Sequence, residues 1–456
     1  MKSNSNKVFI YIAVITLAIG AGFVTYSFVN GQSNDSSYGD TFIWRLDIIY
    51  QNPRPFFRHF SPTWRSLKKV TDLYYLPRTW FYTSNLPVYE LTLVRADLKK
   101  LLDALPPIEG GKPELTEEYK FSVRGDFNQD GVESDARIRY RGLILNHWSA
   151  RKKSMNITLL DDTGKETTTH RLLLPEDRSW AVASLEAYRM QKFGVLTPKV
   201  DFVTLKLNGR DLGVYLEIEE WGLAFLERNN RAIGELFTEK DIENANRPDF
   251  LKRSSLDYWT PRIHIEQNPY REALERFLFT TSETTDEEFA AKLPHILDME
   301  KMYGWMLESL LSRDYHQQNT GNLNFYYDPT RDKFEPIGFD MTTKELRETF
   351  EVFDNRLKNR ILQHEPFRRE FETRTRAYVN NQKNLEDDLA YYDRVVASIE
   401  KDVIADTAKL PPTATFYSET EFYRSTIITN FEKIRQWLDE GELPITFAEE
   451  EYPLTK

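Results

Sequence analysis

The stretch from Ser312 to Met341 constrains the fold of this chain most strongly, because it predicts a short hairpin between two acidic loops. Leu323 to Tyr327 is rich in aromatic residues and typical of a β-strand, and Lys333 to Ile337 can return as a second strand. The Asp-Pro-Thr sequence between them is typical of a turn. Such a hairpin would bring Asp340 back toward the polar loop that begins at Asp314.

Three side chains in this stretch have the order found in a phosphoryl-transfer site. Asp314 is followed five residues later by Asn319, and Asp340 follows the hairpin in a Gly-Phe-Asp sequence. In such sites one Asp accepts the proton of the attacking hydroxyl, while an Asn and a second Asp bind divalent cations through oxygen atoms. The alternative is a polar loop between a helix and a hairpin, since Asp241 and Asp354 repeat the Asp-to-Asn spacing without such a hairpin.

The charge and composition of the chain exclude several classes of function. The formal net charge is −11, from 60 Lys and Arg against 71 Asp and Glu, and no stripe of basic residues offsets it. We therefore expect no nucleic-acid partner. The absence of cysteine rules out disulfides, thiolate metal sites and cysteine nucleophiles. The sequence also lacks a His-Glu-x-x-His zinc motif, a Gly-x-Ser-x-Gly elbow and the common Gly-rich phosphate loops.

An uncharged apolar run from Val8 to Val29 is long enough to cross a bilayer as a helix. Lys2 and Lys7 precede it, and Asp35 and Asp40 follow it, so the positive-inside rule places the N-terminus in the cytoplasm. The run is long for a signal-peptide core and lacks a clean cleavage site, which favours an uncleaved signal anchor over a cleaved signal. We therefore expect a single-pass membrane protein whose main domain is extracytoplasmic.

The rest of the chain predicts an α+β fold with a β-rich front half and a helical rear half. Strand patterns dominate up to Ile218, whereas helical periodicity dominates beyond Arg271, with Glu365 to Leu410 and Phe422 to Leu438 as amphipathic helical stretches. The predicted segments are a cytoplasmic tail over 1–7, a transmembrane anchor over 8–29, a linker and aromatic juxtamembrane arm over 30–85, one domain over 86–440 and a C-terminal tail over 441–456. The aromatic arm suits a membrane interface, and packing on the main domain is the alternative.

Several short motifs occur in a recognisable order between about Leu86 and Glu440. They are Leu86-Pro87-Val88, Arg139-Tyr140-Arg141-Gly142, Lys152-Lys153-Ser154, Gly213-Val214-Tyr215-Leu216, Asp314 with Asn319, Asn324-Phe325-Tyr326 and Gly338-Phe339-Asp340. This ordered set resembles the spore coat protein H (CotH) kinase family. The resemblance implies an atypical protein-kinase-like, two-lobed domain that binds ATP with Mg²⁺ or Mn²⁺ and phosphorylates Ser or Thr in protein substrates.

The resemblance also implies roles for individual residues. Asp314 would be the catalytic base, and Asn319 and Asp340 would be metal ligands. Lys153 would be the catalytic lysine that neutralises phosphate charge, and Lys152 is the other choice for this role. Glu219 would lie near the adenine or ribose, and Arg141 and Gly142 would belong to the loop over the phosphates. Glu186 is the candidate helix Glu that would pair with the lysine.

Three functions remain open on the sequence, of which the last is other chemistry on the same fold, such as phosphoryl transfer to a glycan. The first is an active kinase of secreted or surface proteins, favoured by the intact set of Asp314, Asn319 and Asp340. The alternative is a nucleotide-binding pseudokinase or scaffold that joins partner proteins in an extracytoplasmic envelope complex. The second is favoured by the compartment, where ATP is scarce, and by the apolar run from Leu143 to Leu145, which replaces the polar turn of the family.

Overall fold

A computed structural model describes residues 72–107, 113–148, 152–240, 242, 246–264, 268–352 and 354–447. The predicted tail over 1–7 and the predicted anchor over 8–29 lie outside these residues. Within the described part of the chain, no helix is both long enough and apolar enough to cross a membrane.

Seven strands in the front half close into a barrel in the order β1-β2-β3-β4-β5-β7-β6. The strands are β1 (Val88–Thr92), β2 (Val123–Gln129), β3 (Val132–Tyr140), β4 (Met155–Leu160), β5 (Glu166–Leu173), β6 (Val200–Leu207) and β7 (Arg210–Ile218). Neighbouring strands pair antiparallel except β1 and β6, which pair parallel and close the barrel. Because side chains alternate along a strand, Leu91, Ile138 and Ile157 are buried in one apolar cluster of the barrel.

Two tight hairpin turns of this barrel have the residues that their backbone conformation requires. Asp130 and Gly131 join β2 to β3 with φ of 54° and 84°, and Asn208 and Gly209 join β6 to β7 with φ of 50° and 74°. Turns with two positive φ values match the twist of the paired strands and favour Asn, Asp and Gly. The Asn-Gly sequence after Leu207 thus has the turn conformation that these two residue types favour.

A four-stranded sheet with the order β11-β10-β8-β9 follows the barrel. Its strands are β8 (Glu235–Glu239), β9 (Trp259–Pro261), β10 (Asn324–Asp328) and β11 (Lys333–Pro336). Strands β10 and β11 pair antiparallel, which confirms the hairpin predicted from the aromatic stretch. The Asp328 carboxylate accepts a hydrogen bond from the Thr330 amide at 2.9 Å and fixes the turn between them.

The rear half is mostly helical, so the prediction of a β-rich front half and a helical rear half is confirmed. The helices are α1 (Arg95–Asp103), α2 (Val182–Lys192), α3 (Leu223–Arg228), α4 (Arg271–Ser282), α5 (Asp286–Ile296), α6 (Met299–Leu311), α7 (Arg356–Gln363), α8 (Glu365–Val379), α9 (Gln382–Ala405) and α10 (Thr413–Glu440). Two boundaries differ from the predicted helical stretches. The Asn381 side chain accepts from the Lys383 amide and caps α9, so the first stretch is two helices, and α10 begins at Thr413, nine residues before the predicted Phe422.

Both ends of the described chain contact the helical half. The Tyr82 hydroxyl donates to Asp402 at 2.7 Å, and Asp72 accepts from the Thr413 amide at 2.8 Å. Tyr82 and Asp72 belong to the predicted juxtamembrane arm. At the other end, β12 (Phe350–Glu351) pairs with β13 (Ile445–Thr446), so the first residues of the predicted C-terminal tail also contact the domain.

Candidate active site

An open cleft of about 1170 Å³ lies between the outer face of the barrel strands β3, β4 and β5 and the loops that surround β8 and β10. Ten Lys and Arg side chains line it against six carboxylates. This local excess of positive charge contrasts with the formal charge of −11 on the whole chain. A cationic cleft of this size suits an anionic ligand such as a nucleotide phosphate chain.

Strand alternation explains why arginines face the cleft. Arg139 on β3, Asn156 on β4 and Arg171 on β5 lie side by side in the strand register, and all three line the cleft. The alternate residues, such as Ile138 and Leu172, point into the barrel. Arg171 is already paired with Glu220 at 3.1 Å, so an anionic ligand would compete with this carboxylate.

The loop that begins at Asp314 is held by the carboxylate of that residue. Helix α6 ends at Leu311, and Asp314 Oδ1 accepts hydrogen bonds from the backbone amides of His316 at 3.0 Å and Thr342 at 3.1 Å. The Lys358 ammonium lies 3.8 Å from Asp314 Oδ2. The Asp314 side chain is fully buried beneath the cleft, so in this structure it organises the loop rather than facing the open space.

The hairpin returns the chain beside this loop, as the strand pattern predicts. His316 Nδ1 donates to the carbonyl oxygen of Asp340 at 3.0 Å, and Gln317 Nε2 donates to that of Phe339 at 2.9 Å. Asp340 has a φ of 62°, and its carboxylate lines the cleft and contacts the guanidinium of Arg178. The structure therefore brings Asp314 and Asp340 to one place, with Asp340 on the side of the cleft.

Gly338 permits the close approach that this arrangement needs. A Cβ atom at Gly338 would lie 2.6 Å from the Cγ atom of Met190 on α2, so a larger residue would push the Asp340 loop away from the helix. The glycine of the Gly-Phe-Asp sequence is thus explained by packing.

Asn319 lies apart from this pair. Its amide nitrogen donates to Asp354 Oδ1 at 2.6 Å, and its amide oxygen accepts from the Arg356 backbone amide at 2.7 Å. The side chain is buried, and it is not among the described residues that line the cleft. Its amide oxygen thus already accepts a hydrogen bond from the first residue of α7.

The two predicted lysines point away from Asp340. Lys152 Nζ donates to Asp406 Oδ2 at 2.8 Å and lies over the Tyr215 ring. Lys153 Nζ donates to the Trp148 carbonyl at 2.7 Å, and burial lowers the pKa of Lys153 to about 8. Neither lysine is among the described residues that line the cleft.

Of the remaining predicted binding residues, Arg141 and Gly142 line the cleft and Glu219 does not. A Cβ atom at Gly142 would lie 2.1 Å from the His147 ring, which explains the glycine. Glu219 is held by Arg228 and by the Lys199 backbone amide at 2.9 Å. Its neighbour Glu220 lines the cleft instead.

Glu186 on α2 pairs with neither Lys152 nor Lys153, so the predicted Glu–Lys pair is wrong. Its Oε2 atom accepts from the backbone amide of Met341 at 3.3 Å, directly after Asp340. Burial, followed by the carboxylates of Glu308 and Asp314, raises the pKa of Glu186 well above its ordinary value. The sequence suggested Glu186 only as a partner of the lysine and did not reveal its place beside the Asp340 loop, because a Glu on the buried face of a helix carries no motif.

A small cavity of about 50 Å³ lies beside Asp340, with Glu186, Thr342, Arg178 and His316 among its lining residues. Oxygen atoms of carboxylates and hydroxyls are the ligands that Mg²⁺ and Mn²⁺ accept, and the volume can hold an ion with a water molecule. The oxygen atoms of Asp340, Glu186 and Thr342 are therefore of the type that a divalent cation binds, although the described residues include no group of three or more His, Asp or Glu side chains placed to hold one. The Asn319 side chain is engaged elsewhere.

Comparison with known proteins adds an independent observation. Residues 187–440 match the family model described as CotH kinase protein. Inner spore coat protein H of Bacillus subtilis (strain 168) is 24% identical over 239 residues, which are 51% of this chain and 62% of that protein, so the likeness spans less than two thirds of the relative. The match of the family model begins within α2, after the first five barrel strands. It covers more than half of the chain, and the chain therefore belongs to the CotH kinase family.

Proposed function

We propose that this protein is an atypical kinase that transfers the γ-phosphate of ATP to Ser or Thr of secreted or surface proteins and that requires Mg²⁺ or Mn²⁺. One observation carries the proposal: hydrogen bonds join the Asp314 loop to the Asp340 loop on the floor of a cationic cleft between the barrel and the loops that surround β8 and β10. Membership of a family named for kinase activity supports the same reaction.

The described side chains provide for binding and charge neutralisation. Arg141 and Arg178 line the cleft and can oppose phosphate charge, as guanidinium groups do through paired N–H donors. Asp340 would hold the divalent cation, which when bound would neutralise charge on the transferring phosphoryl group. The lysines contribute no such charge here, so arginines of the cleft would take the role that the family resemblance implies for Lys153.

Asp314 is proposed to accept the proton of the acceptor hydroxyl. Its Oδ1 atom accepts hydrogen bonds from two backbone amides at 3.0 and 3.1 Å, whereas Oδ2 accepts one longer bond, from the Gln317 amide at 3.4 Å, so Oδ2 is the less engaged atom for this task. The Lys358 ammonium lies 3.8 Å from the same Oδ2 atom. The hydroxyl must then reach Asp314 past the ring of His316, which lines the cleft.

A second function, a nucleotide-binding scaffold in an envelope complex, is favoured by two features. The Asp314 side chain is fully buried and the Asn319 amide is engaged with Asp354 and Arg356. A protein that only binds nucleotide needs the cleft but not an accessible base. In both proposals the domain lies outside the membrane and is anchored by the apolar run from Val8 to Val29.

Phosphate transfer by the full chain separates the two functions. The purified protein is incubated with γ-labelled ATP, Mn²⁺ or Mg²⁺, and dephosphorylated casein, and label on casein and on the chain itself is measured. We expect transfer by wild type and a loss of at least about 10²-fold in Asp314→Asn, because the amide lacks a basic oxygen at the Oδ2 position. Nucleotide affinity measured by calorimetry should persist in this variant.

The matched control is Asp388→Asn. Asp388 is as buried as Asp314 and holds Arg189 at 2.7 Å, but it is not among the described residues of the cleft. It should lose stability without a specific loss of transfer. Nucleotide binding without transfer in wild type would refute the kinase and support the scaffold, and the absence of both would refute both proposals.

A further inference from the structure

We propose that Glu186 is a direct ligand of the divalent cation, together with Asp340, in the position that the sequence assigns to Asn319. This inference rests on the proposed function, since it concerns the cation of the same site. It differs from the family-based expectation, in which Glu186 pairs with a lysine and Asn319 binds the metal.

The first support is an oxygen atom without a partner. Glu186 is only 5% exposed, and no described residue donates a hydrogen bond to its Oε1 atom. The hydroxyl oxygen of Thr342 is in the same situation within the described chain. A buried carboxylate oxygen without a donor is costly, and a cation is the ligand that would satisfy it.

The second support is that this oxygen belongs to the cavity beside Asp340. Glu186, Thr342 and Asp340 all line the cavity of about 50 Å³. The Oε2 atom of Glu186 accepts from the Met341 amide at 3.3 Å, which fixes its carboxylate beside the residue that follows Asp340. Two carboxylates and a hydroxyl in one small cavity form a set of hard oxygen donors.

The third support is the distribution of nearby cations. Arg189, one turn after Glu186 on α2, is paired with Asp388 at 2.7 Å and with Glu308 at 3.5 Å. Lys358 is bound to Ser309 at 2.6 Å and lies 3.8 Å from Asp314. The Arg189 and Lys358 side chains therefore lie next to carboxylates other than that of Glu186.

Arg178 is the remaining cation that lines the cavity among the described residues, and its guanidinium contacts Asp340. A metal ion at Asp340 would take the place of this guanidinium, which would turn toward the cleft that Arg178 also lines. Arg178→Gln should therefore raise the affinity for the metal ion alone, because it removes the competing cation.

Mn²⁺ binding to the full chain in detergent tests the assignment without any measurement of activity. The free ion is quantified by electron paramagnetic resonance, with and without ATP. We expect Glu186→Gln to weaken Mn²⁺ binding at least about 10-fold, since even outer partners of metal ligands cost that much when removed. Glu308→Gln is the matched control, because Glu308 is also buried within the same part of the structure but does not line the cavity. It should bind Mn²⁺ within about 2-fold of wild type, well below that 10-fold loss.

A second variant tests the ligand by a gain of binding. The chain contains no cysteine, so Glu186→Cys introduces a single thiol. A thiolate at a metal position favours soft ions, so this variant should bind Cd²⁺ in preference to Mn²⁺ and show an ultraviolet sulfur-to-cadmium band. Glu308→Cys should show no such band at the same Cd²⁺ concentration.

The outcomes separate this inference from the proposed function. Wild-type affinity for Mn²⁺ in folded Glu186→Gln, or loss of Mn²⁺ binding in folded Asn319→Ala, would overturn the assignment of Glu186. If Glu186→Gln does not fold, a missing cadmium band in folded Glu186→Cys would overturn it instead. Mn²⁺ binding that depends on Glu186 in a protein that transfers no phosphate would refute the kinase and leave the ligand assignment intact.

Discussion

Replacement of Lys152 by Met should destabilise the protein without weakening nucleotide binding. The Lys152 ammonium is buried and donates to Asp406 at 2.8 Å. Asp406 also accepts from the backbone amides of Val214 at 3.1 Å and Lys409 at 2.8 Å. Met keeps the length of the side chain but leaves a buried carboxylate without its ammonium partner.

The magnitude follows from the burial of both partners. Removal of one member of a buried ion pair costs about 3–5 kcal/mol. With an unfolding entropy of about 2.1 cal/mol/K per residue over the 360 described residues, this loss lowers the melting temperature by about 4–7 °C. Lys206→Met is the control, because Lys206 and its partner Glu90 are both exposed, and it should cost under about 1 kcal/mol.

The pH dependence of this loss has a definite sign. Burial would raise the pKa of Asp406, but the Lys152 and Lys409 ammonium groups outweigh it and hold that pKa below its ordinary value. The pair therefore stabilises the protein above the unfolded pKa of about 3.9, and this contribution is lost as the pH falls through the lower folded pKa. The difference between wild type and Lys152→Met should shrink below about pH 4 for this reason.

Thermal unfolding and calorimetry with ATP and Mg²⁺ check the two parts of this prediction. A Lys152→Met protein as stable as wild type would show that the ion pair contributes little. A folded Lys152→Met protein with a nucleotide affinity about 10-fold weaker, equivalent to about 1.4 kcal/mol, would return Lys152 to the phosphate site and refute the reasoning.

Three further predictions concern other parts of the chain. Asn319→Ala should lower the free energy of unfolding in urea by about 1–3 kcal/mol, because it removes the side-chain hydrogen bonds to Asp354 Oδ1 and from the buried Arg356 amide; an unchanged unfolding midpoint would contradict this. Burial raises the pKa of Glu308 to about 8, so stability should fall between the unfolded pKa of about 4.3 and pH 8, and Glu308→Gln should flatten this slope; an unchanged slope would count against the buried acid. Phe81, which is 99% exposed on the arm, should touch lipid in the full chain. A spin label on Phe81→Cys in proteoliposomes should be accessible to oxygen rather than to a water-soluble nickel complex, whereas a label on the exposed control Val132→Cys should show the reverse, and equal accessibility would argue against membrane contact.

The sequence predicted elements whose signal is local. The Asn-Gly turn after Leu207 and the aromatic strand near Phe325 follow from residue preferences that act over a few positions. Strand β5 was not predicted, because its Glu-Thr-Thr-Thr-His-Arg sequence is polar. Glu166, Thr169 and Arg171 of this strand line the cleft, so its polar character depends on a surface that no local pattern describes.

In the candidate site, too, the features with a local sequence signal could be predicted and those that depend on distant residues could not. The meeting of the Asp314 and Asp340 loops could be predicted, because a hairpin of known length joins them. The surroundings of Lys152 could not, since its partner Asp406 lies 254 residues later in the chain. Nor could the position of Glu186, which depends on how α2 packs beside the loop after Phe339.

The arm at the start of the described chain has a consequence for synthesis on the ribosome. Tyr82 and Asp72 bind residues that are 320 and 341 positions later. The arm therefore cannot reach its final contacts until nearly the whole domain has emerged, and closing so long a loop delays folding. Until then its exposed aromatic side chains remain available to chaperones or lipids. A nascent chain stalled before Asp402 should accordingly be more sensitive to protease near Tyr82 than the finished protein.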